Sequence, residues 1–210
     1  MKDHSIHGVE GPVFAVQVRE PKPRRPLFVS FGNMSDDVAF SFTHETDEYI
    51  DVHRILVRDP SRLFYQAGLP PLTSNIPETI AYLKQLIHDM EPSRIVVFGE
   101  SLGGYAAILF GTHLNADEVH AFSPITSLEN RKRIVWKEAH DEMKSKCSSD
   151  FYDLKKSLEQ IDYQTKINAY YDHTFEFYTF HVENIQHCQG ITLHRYPFGK
   201  HNIANRLKES

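Results

Sequence analysis

The chain has 210 residues, 40% of them apolar and 24% charged, with a formal net charge of −5. That length can bury a core without covalent staples, and that balance excludes a chain disordered throughout. The mild acidity argues against nucleic acid as the main partner, because neutralising phosphates takes a basic surface.

Taken in chain order, short β-rich runs alternate with helical patterns. This predicts an α/β fold, a three-layer α/β/α sandwich around a mostly parallel sheet. Pro12 to Val18 reads as an early strand, followed by a proline-rich turn over residues 20–26 that holds the basic run Lys22 to Arg25. Leu27 to Phe31 is a buried strand ended by Gly32-Asn33, and Arg54 to Arg58 is the next, stopped at Asp59-Pro60. A helix follows, capped by Ser74 or Asn75, with Pro77 and Glu78 in its first turn and a stripe of Ile76, Ile80, Leu83, Ile87 and Met90. The unbroken apolar run of Arg94 to Phe98 predicts a central strand buried on both faces. A helix from about Leu102 to His113, a strand over Glu118 to Phe122, and helices within residues 127–160 come next. Lys166 to Tyr171 returns to strand, an aromatic-rich helix follows, Ile191 to Tyr196 is the last strand, and a short helix closes the chain. We read residues 1–210 as a single domain, in which 127–160 form either a small helical cover or an ordinary connecting pair.

Cys147 and Cys188 are too few for a disulfide framework, so free thiols and a reducing, cytoplasmic setting are expected. Met1 to His7 lacks the apolar stretch of a secretory signal, and no segment approaches the roughly 18 apolar residues of a membrane span. None of the 13 histidines stands at zinc-helix or finger spacing, so neither metal nor cofactor is expected.

Gly99-Glu100-Ser101-Leu102-Gly103 carries the chemistry. It is a G-x-S-x-G run directly after a buried strand and directly before a helix, the context a nucleophile elbow requires. The serine hydroxyl stands clear on a strained turn, and the flanking glycines avoid collisions across it. Serine needs a base and a group that orients the base, and in this architecture they follow in the order acid, then histidine. His201, in the loop after the last strand, is the candidate base, preferred over His194 inside that strand and His187 near a helix end. Asp172, at the end of the 166–171 strand, is the candidate acid, with Glu176 as the alternative. The candidate oxyanion donors are the backbone N–H groups of Leu102, at the helix N-terminus, and Asn33, with Gly32 giving the chain freedom to turn.

This ordered set, from Leu27 to Asn202, resembles the α/β-hydrolase superfamily. The run Val97 to Ala107, followed by Ala121-Phe122-Ser123-Pro124, is similar to small bacterial serine esterases and thioesterases without a large cap domain. Some of these serve surface-polysaccharide or secondary-metabolite pathways, which implies a setting and not a substrate. Phe31 stands where the family commonly has a histidine before the glycine, and no Gly-x-x-Asp loop precedes Asp172. The resemblance implies a serine hydrolase that cleaves an ester or thioester, on a small-molecule or carrier-bound acyl group, through an acyl-enzyme on Ser101. Acyl transfer by the same triad and a non-catalytic binding or assembly role on the same fold are the alternatives. The apolar loop Arg62 to Leu72, helped by Phe175, Phe177 and Tyr178, is read as an acyl-pocket wall or as core, and Arg58, Arg62 and Lys200 as solvated or as anion contacts.

Overall fold

The computed structural model describes residues 2–8, 11–18, 24–33, 51–198 and 203–208. The strands are β1 (Lys2–Gly8), β2 (Gly11–Val18), β3 (Leu27–Phe31), β4 (His53–Val57), β5 (Ile95–Glu100), β6 (Glu118–Phe122), β7 (Lys166–Asp172) and β8 (Ile191–Tyr196). They form one sheet in the order β1-β2-β4-β3-β5-β6-β7-β8. β4 to β8 with β3 run parallel, while β2 pairs antiparallel with both β1 and β4. β1 has no apolar alternation in its sequence, Lys-Asp-His-Ser-Ile-His-Gly. That is why sequence reasoning passed over it.

The helices are α1 (Ile76–Met90), α2 (Leu102–His113), α3 (Lys137–Lys146), α4 (Leu154–Glu159), α5 (Glu176–Ile185) and α6 (Ile203–Lys208). α1 starts where its sequence says it should: Asn75 caps it by accepting from the N–H of Glu78, and Glu91 ends it in the left-handed region. Strand alternation divides the core. Val29, Phe31, Ile55, Val57, Val97, Val119 and Ala121 face the main core, whereas Phe28, Leu56 and Phe98 face a second, smaller cluster. α6 adds Ile203 and Ala204 to a third cluster with Phe122 and Tyr171.

The apolar run in β5 is therefore not buried on both faces. Val97 and Gly99 are buried, but Val96 and Phe98 are only half-buried. The second face carries a shallower layer, in which Phe98 stacks on His120 at 4.8 Å and on Phe28 at 4.7 Å.

α2 is the innermost helix, with every residue from Leu102 to Thr112 buried. A helix apolar on all sides needs cover on all sides. The sheet supplies one side, and Tyr152, Leu154 and Leu158 from the 127–160 segment join the same core. Within that segment Leu154 and Leu158 are buried on α4, while Phe151 and Ile161 pack against the core from positions outside it.

Candidate active site

Ser101 sits between β5 and α2 with φ 57° and ψ −113°, a left-handed conformation rare for a residue with a side chain. Three backbone bonds hold it there. Its N–H donates to the carbonyl of Phe122 at 2.8 Å, and its carbonyl accepts from the N–H groups of Tyr105 and Ile125, both at 3.2 Å. The glycines are a steric necessity. A Cβ on Gly99 would lie 1.9 Å from the carbonyl oxygen of Gly103, and one on Gly103 would lie 2.2 Å from that of Phe31. Strand, turn and helix thus touch backbone to backbone.

The first N–H groups of α2 lack partners within the helix by its geometry, and that of Leu102 comes first. Beside it, the parallel register pairs Phe31 with Gly99. Asn33 and Ser101 each lie two residues beyond that pair along the chain. Gly32 does not adopt a positive φ. The freedom expected of it is not used, and its small size matters instead, since a Cβ would come within 3.3 Å of the Arg58 side chain.

Asp172 ends β7 and is fully buried. Its Oδ1 accepts from both the N–H and the hydroxyl of Thr174, at 2.8 and 2.6 Å. It does not cap α5, whose N-cap residue is Phe175. Glu176, the alternative acid, is exposed at the surface and pairs with Arg133 at 3.1 Å. β6 alone separates β5 from β7, so Ser101 and Asp172 stand about 10 Å apart on one edge of the sheet. His201 and Lys200 lie outside the described residues. Of the competing histidines, His194 lies within β8, bonded to Asn168 Oδ1 at 3.0 Å, and His187 follows α5.

The aromatics of the 62–72 loop belong to the core. Phe64, Tyr65 and Leu69 are fully buried, and Tyr65 packs edge-on against Phe31 and Phe110. The cleft beside this loop, about 590 Å³, is lined by Leu63, Gln66 and Ala67 together with the start of α1 and the Lys146–Phe151 turn. Phe175 is exposed, whereas Tyr178 is buried.

Three features escaped the sequence reading. Asp59 accepts from the N–H of Tyr65 at 2.8 Å and of Ser61 at 3.1 Å, and burial pushes its carboxyl up to about 6 against those bonds. An aspartate two residues before a serine at a strand end is the signal of such a turn. His181 accepts from the N–H of Thr126 at 3.2 Å through Nδ1 and lies 3.2 Å from the carbonyl of Arg133 through Nε2. It is thereby neutral with the proton on Nε2, and burial lowers its pKa to about 4. Ser123 holds φ 44° at the end of β6. Nothing in the sequence marks the last two.

Among the described residues no group of His, Cys, Asp and Glu could hold a metal ion, and no helix is long and apolar enough to cross a membrane. Both cysteines are free thiols.

No family model matches the chain, and no curated protein sequence matches it. Solved structures do. It is similar to FphF, a fluorophosphonate-binding serine hydrolase of Staphylococcus aureus, at 14% identity and TM-score 0.66, over 99% of this chain and 94% of that one. It is similar to the capsule O-acetyltransferase of Neisseria meningitidis serogroup A at 14% identity and TM-score 0.69, over 93% and 88%. A chain of the glycosylation-associated Gap123 complex of Streptococcus agalactiae matches at 15% identity and TM-score 0.64, over 99% of this chain but 44% of its own, so this chain spans under half of its length. The chain has the α/β-hydrolase fold.

Proposed function

We propose that the chain is a serine-dependent hydrolase of an ester or thioester. The elbow carries this reading: a buried serine held at φ 57° between glycines that admit no Cβ. A strained backbone maintained by its whole surroundings is what a positioned nucleophile requires.

In this reading Ser101 Oγ attacks the acyl carbonyl while His201 takes its proton. The oxyanion forms against the N–H groups of Leu102 and Asn33. His201 then protonates the departing alcohol or thiol, and Asp172 keeps the imidazole in the tautomer that allows both steps. Water, deprotonated by His201, attacks the acyl-enzyme and releases the acid. The burial of Asp172, two strands from Ser101, supports it over Glu176, since an imidazole bonded at both nitrogens bridges a gap of that order. Residues 127–160 then act as a small helical cover, tied to α5 through His181. The free thiols support a cytoplasmic setting.

A second reading is acyl transfer, in which an alcohol replaces water in the last step. The likeness to the capsule O-acetyltransferase favours it. Both readings share the acyl-enzyme, so one experiment tests the common part. A fluorophosphonate probe should label Ser101, label nothing in Ser101→Ala, and react far more slowly with His201→Ala. A folded wild-type protein that resists the probe overturns both readings and leaves a binding role on this fold.

A further inference from the structure

The peptide that joins Gly32 to Asn33 carries two groups of consequence. Its N–H belongs to Asn33, the candidate oxyanion donor, and its carbonyl belongs to Gly32. In a trans peptide these point in opposite directions, so whatever fixes one fixes the other. The Tyr65 hydroxyl donates to the Gly32 carbonyl at 2.8 Å. On its other side, the N–H of Gly32 is held by the Val57 carbonyl at 2.8 Å.

Tyr65 is itself over-determined. It is fully buried, its φ is 61°, and its ring packs edge-on against the stacked pair Phe31 and Phe110. Its own N–H is held by the Asp59 carboxylate. The loop contains two further left-handed residues, Arg62 at φ 52° and Phe64 at φ 59°. Three such residues in four positions persist only where surrounding bonds enforce them.

We infer that Tyr65 is a positioning residue for the oxyanion donor: its hydroxyl, carried on a backbone that Asp59 braces, orients the Gly32–Asn33 peptide and polarises it, so that the Asn33 N–H is a fixed and stronger donor. Cooperative strengthening along a hydrogen-bonded chain is the expected direction of that effect. The inference rests on the hydrolase reading for its chemistry, but its geometry can be tested apart from it.

Tyr65→Phe removes only the hydroxyl and keeps the ring packing. With p-nitrophenyl acetate as the probe, kcat should fall about 10- to 100-fold, in keeping with the weakening of one oxyanion donor, whose complete removal costs up to about 1,000-fold. KM should stay within about twofold. Tyr163→Phe is the control: it removes a part-buried hydroxyl, bonded to the Gln189 carbonyl at 2.7 Å, at the opposite end of β7. It should lower Tm without changing kcat. The geometric arm reads the 15N resonance of the Asn33 amide, which responds to the hydrogen bond on the carbonyl of its own peptide. That resonance should shift in Tyr65→Phe and not in Tyr163→Phe. An unmoved Asn33 resonance overturns the inference, as does a folded Tyr65→Phe with the kcat of the wild type. A wild type that neither labels nor turns over, with Asn33 shifting as stated, overturns the hydrolase reading while upholding the positioning of the peptide.

Discussion

At the scale of single residues the two carboxylates separate cleanly. Asp172 is sealed at the end of β7 with one oxygen bonded twice by Thr174, whereas Glu176 reaches into solvent for Arg133. Asp172→Asn should lower kcat by about 1,000- to 10,000-fold through the wrong imidazole tautomer. Glu176→Gln should leave kcat alone, because an exposed ion pair contributes at most about 1 kcal/mol to stability and nothing to the reaction. Kinetics of the two variants on one ester decide between them, and equal losses would discredit the assignment. Gly103 is an exacting position for stability, given its contact with the Phe31 carbonyl. Gly103→Ala should destabilise the fold by at least about 2–3 kcal/mol, since neither backbone can retreat. Urea midpoints measure it.

At the scale of elements, the sequence marked the helices and the parallel strands because their signals are local. α2 and β6 fall on the residues anticipated, and Asn75 caps α1 as its side chain predicts. Ser101 was legible for the same reason: glycine spacing and context are both sequence properties. The polarity of β1 hid it, since that strand forms by pairing with β2 and carries no apolar alternation. The half-covered face of β5 was invisible because an apolar run reports its own preference and not what packs against it. The loop that holds Tyr65 reads as a pocket wall or as core, and the structure buries Tyr65 in the core. Its role depends on a bond spanning 33 residues, and no local pattern encodes such a partner. The loop from Asp59 to Thr73 therefore reaches the Gly32 carbonyl through one polar side-chain atom, the Tyr65 hydroxyl.

At the scale of the whole molecule, two buried groups oppose each other across acid pH. His181 is held neutral, its pKa lowered from 6.5 to about 4 by burial. The unfolded chain takes up that proton first, so stability is lost as pH falls from 6.5 towards 4, at up to about 1.4 kcal/mol per pH unit. Asp59 is raised from 3.8 to about 6. The folded chain takes up this proton first, so its contribution grows as pH falls from 6 and is complete below 3.8. The two slopes nearly cancel in the wild type. Asp59→Asn should expose the histidine, with a urea midpoint that drops relative to the wild type between pH 6.5 and 4.5. His181→Gln should expose the aspartate, with a midpoint that climbs over the same interval. Parallel curves for all three proteins would show that neither group titrates as its burial dictates.

The contacts at Gly99 and Gly103 bind strand, turn and helix into one body. On the hydrolase reading, a nucleophile set in such a body cannot shift to meet a differently shaped substrate. Adaptation must then fall to the segments that leave β4 and β6, which Asp59 and His181 hold at Tyr65 and Thr126. A directed-evolution campaign for new substrates should accumulate its useful changes at residues 66–75 and 126–136 and almost none at 99–104. On the hydrolase reading, selectivity then lies mainly in those two stretches, while reactivity stays with the elbow and with the Tyr65 bond to Gly32.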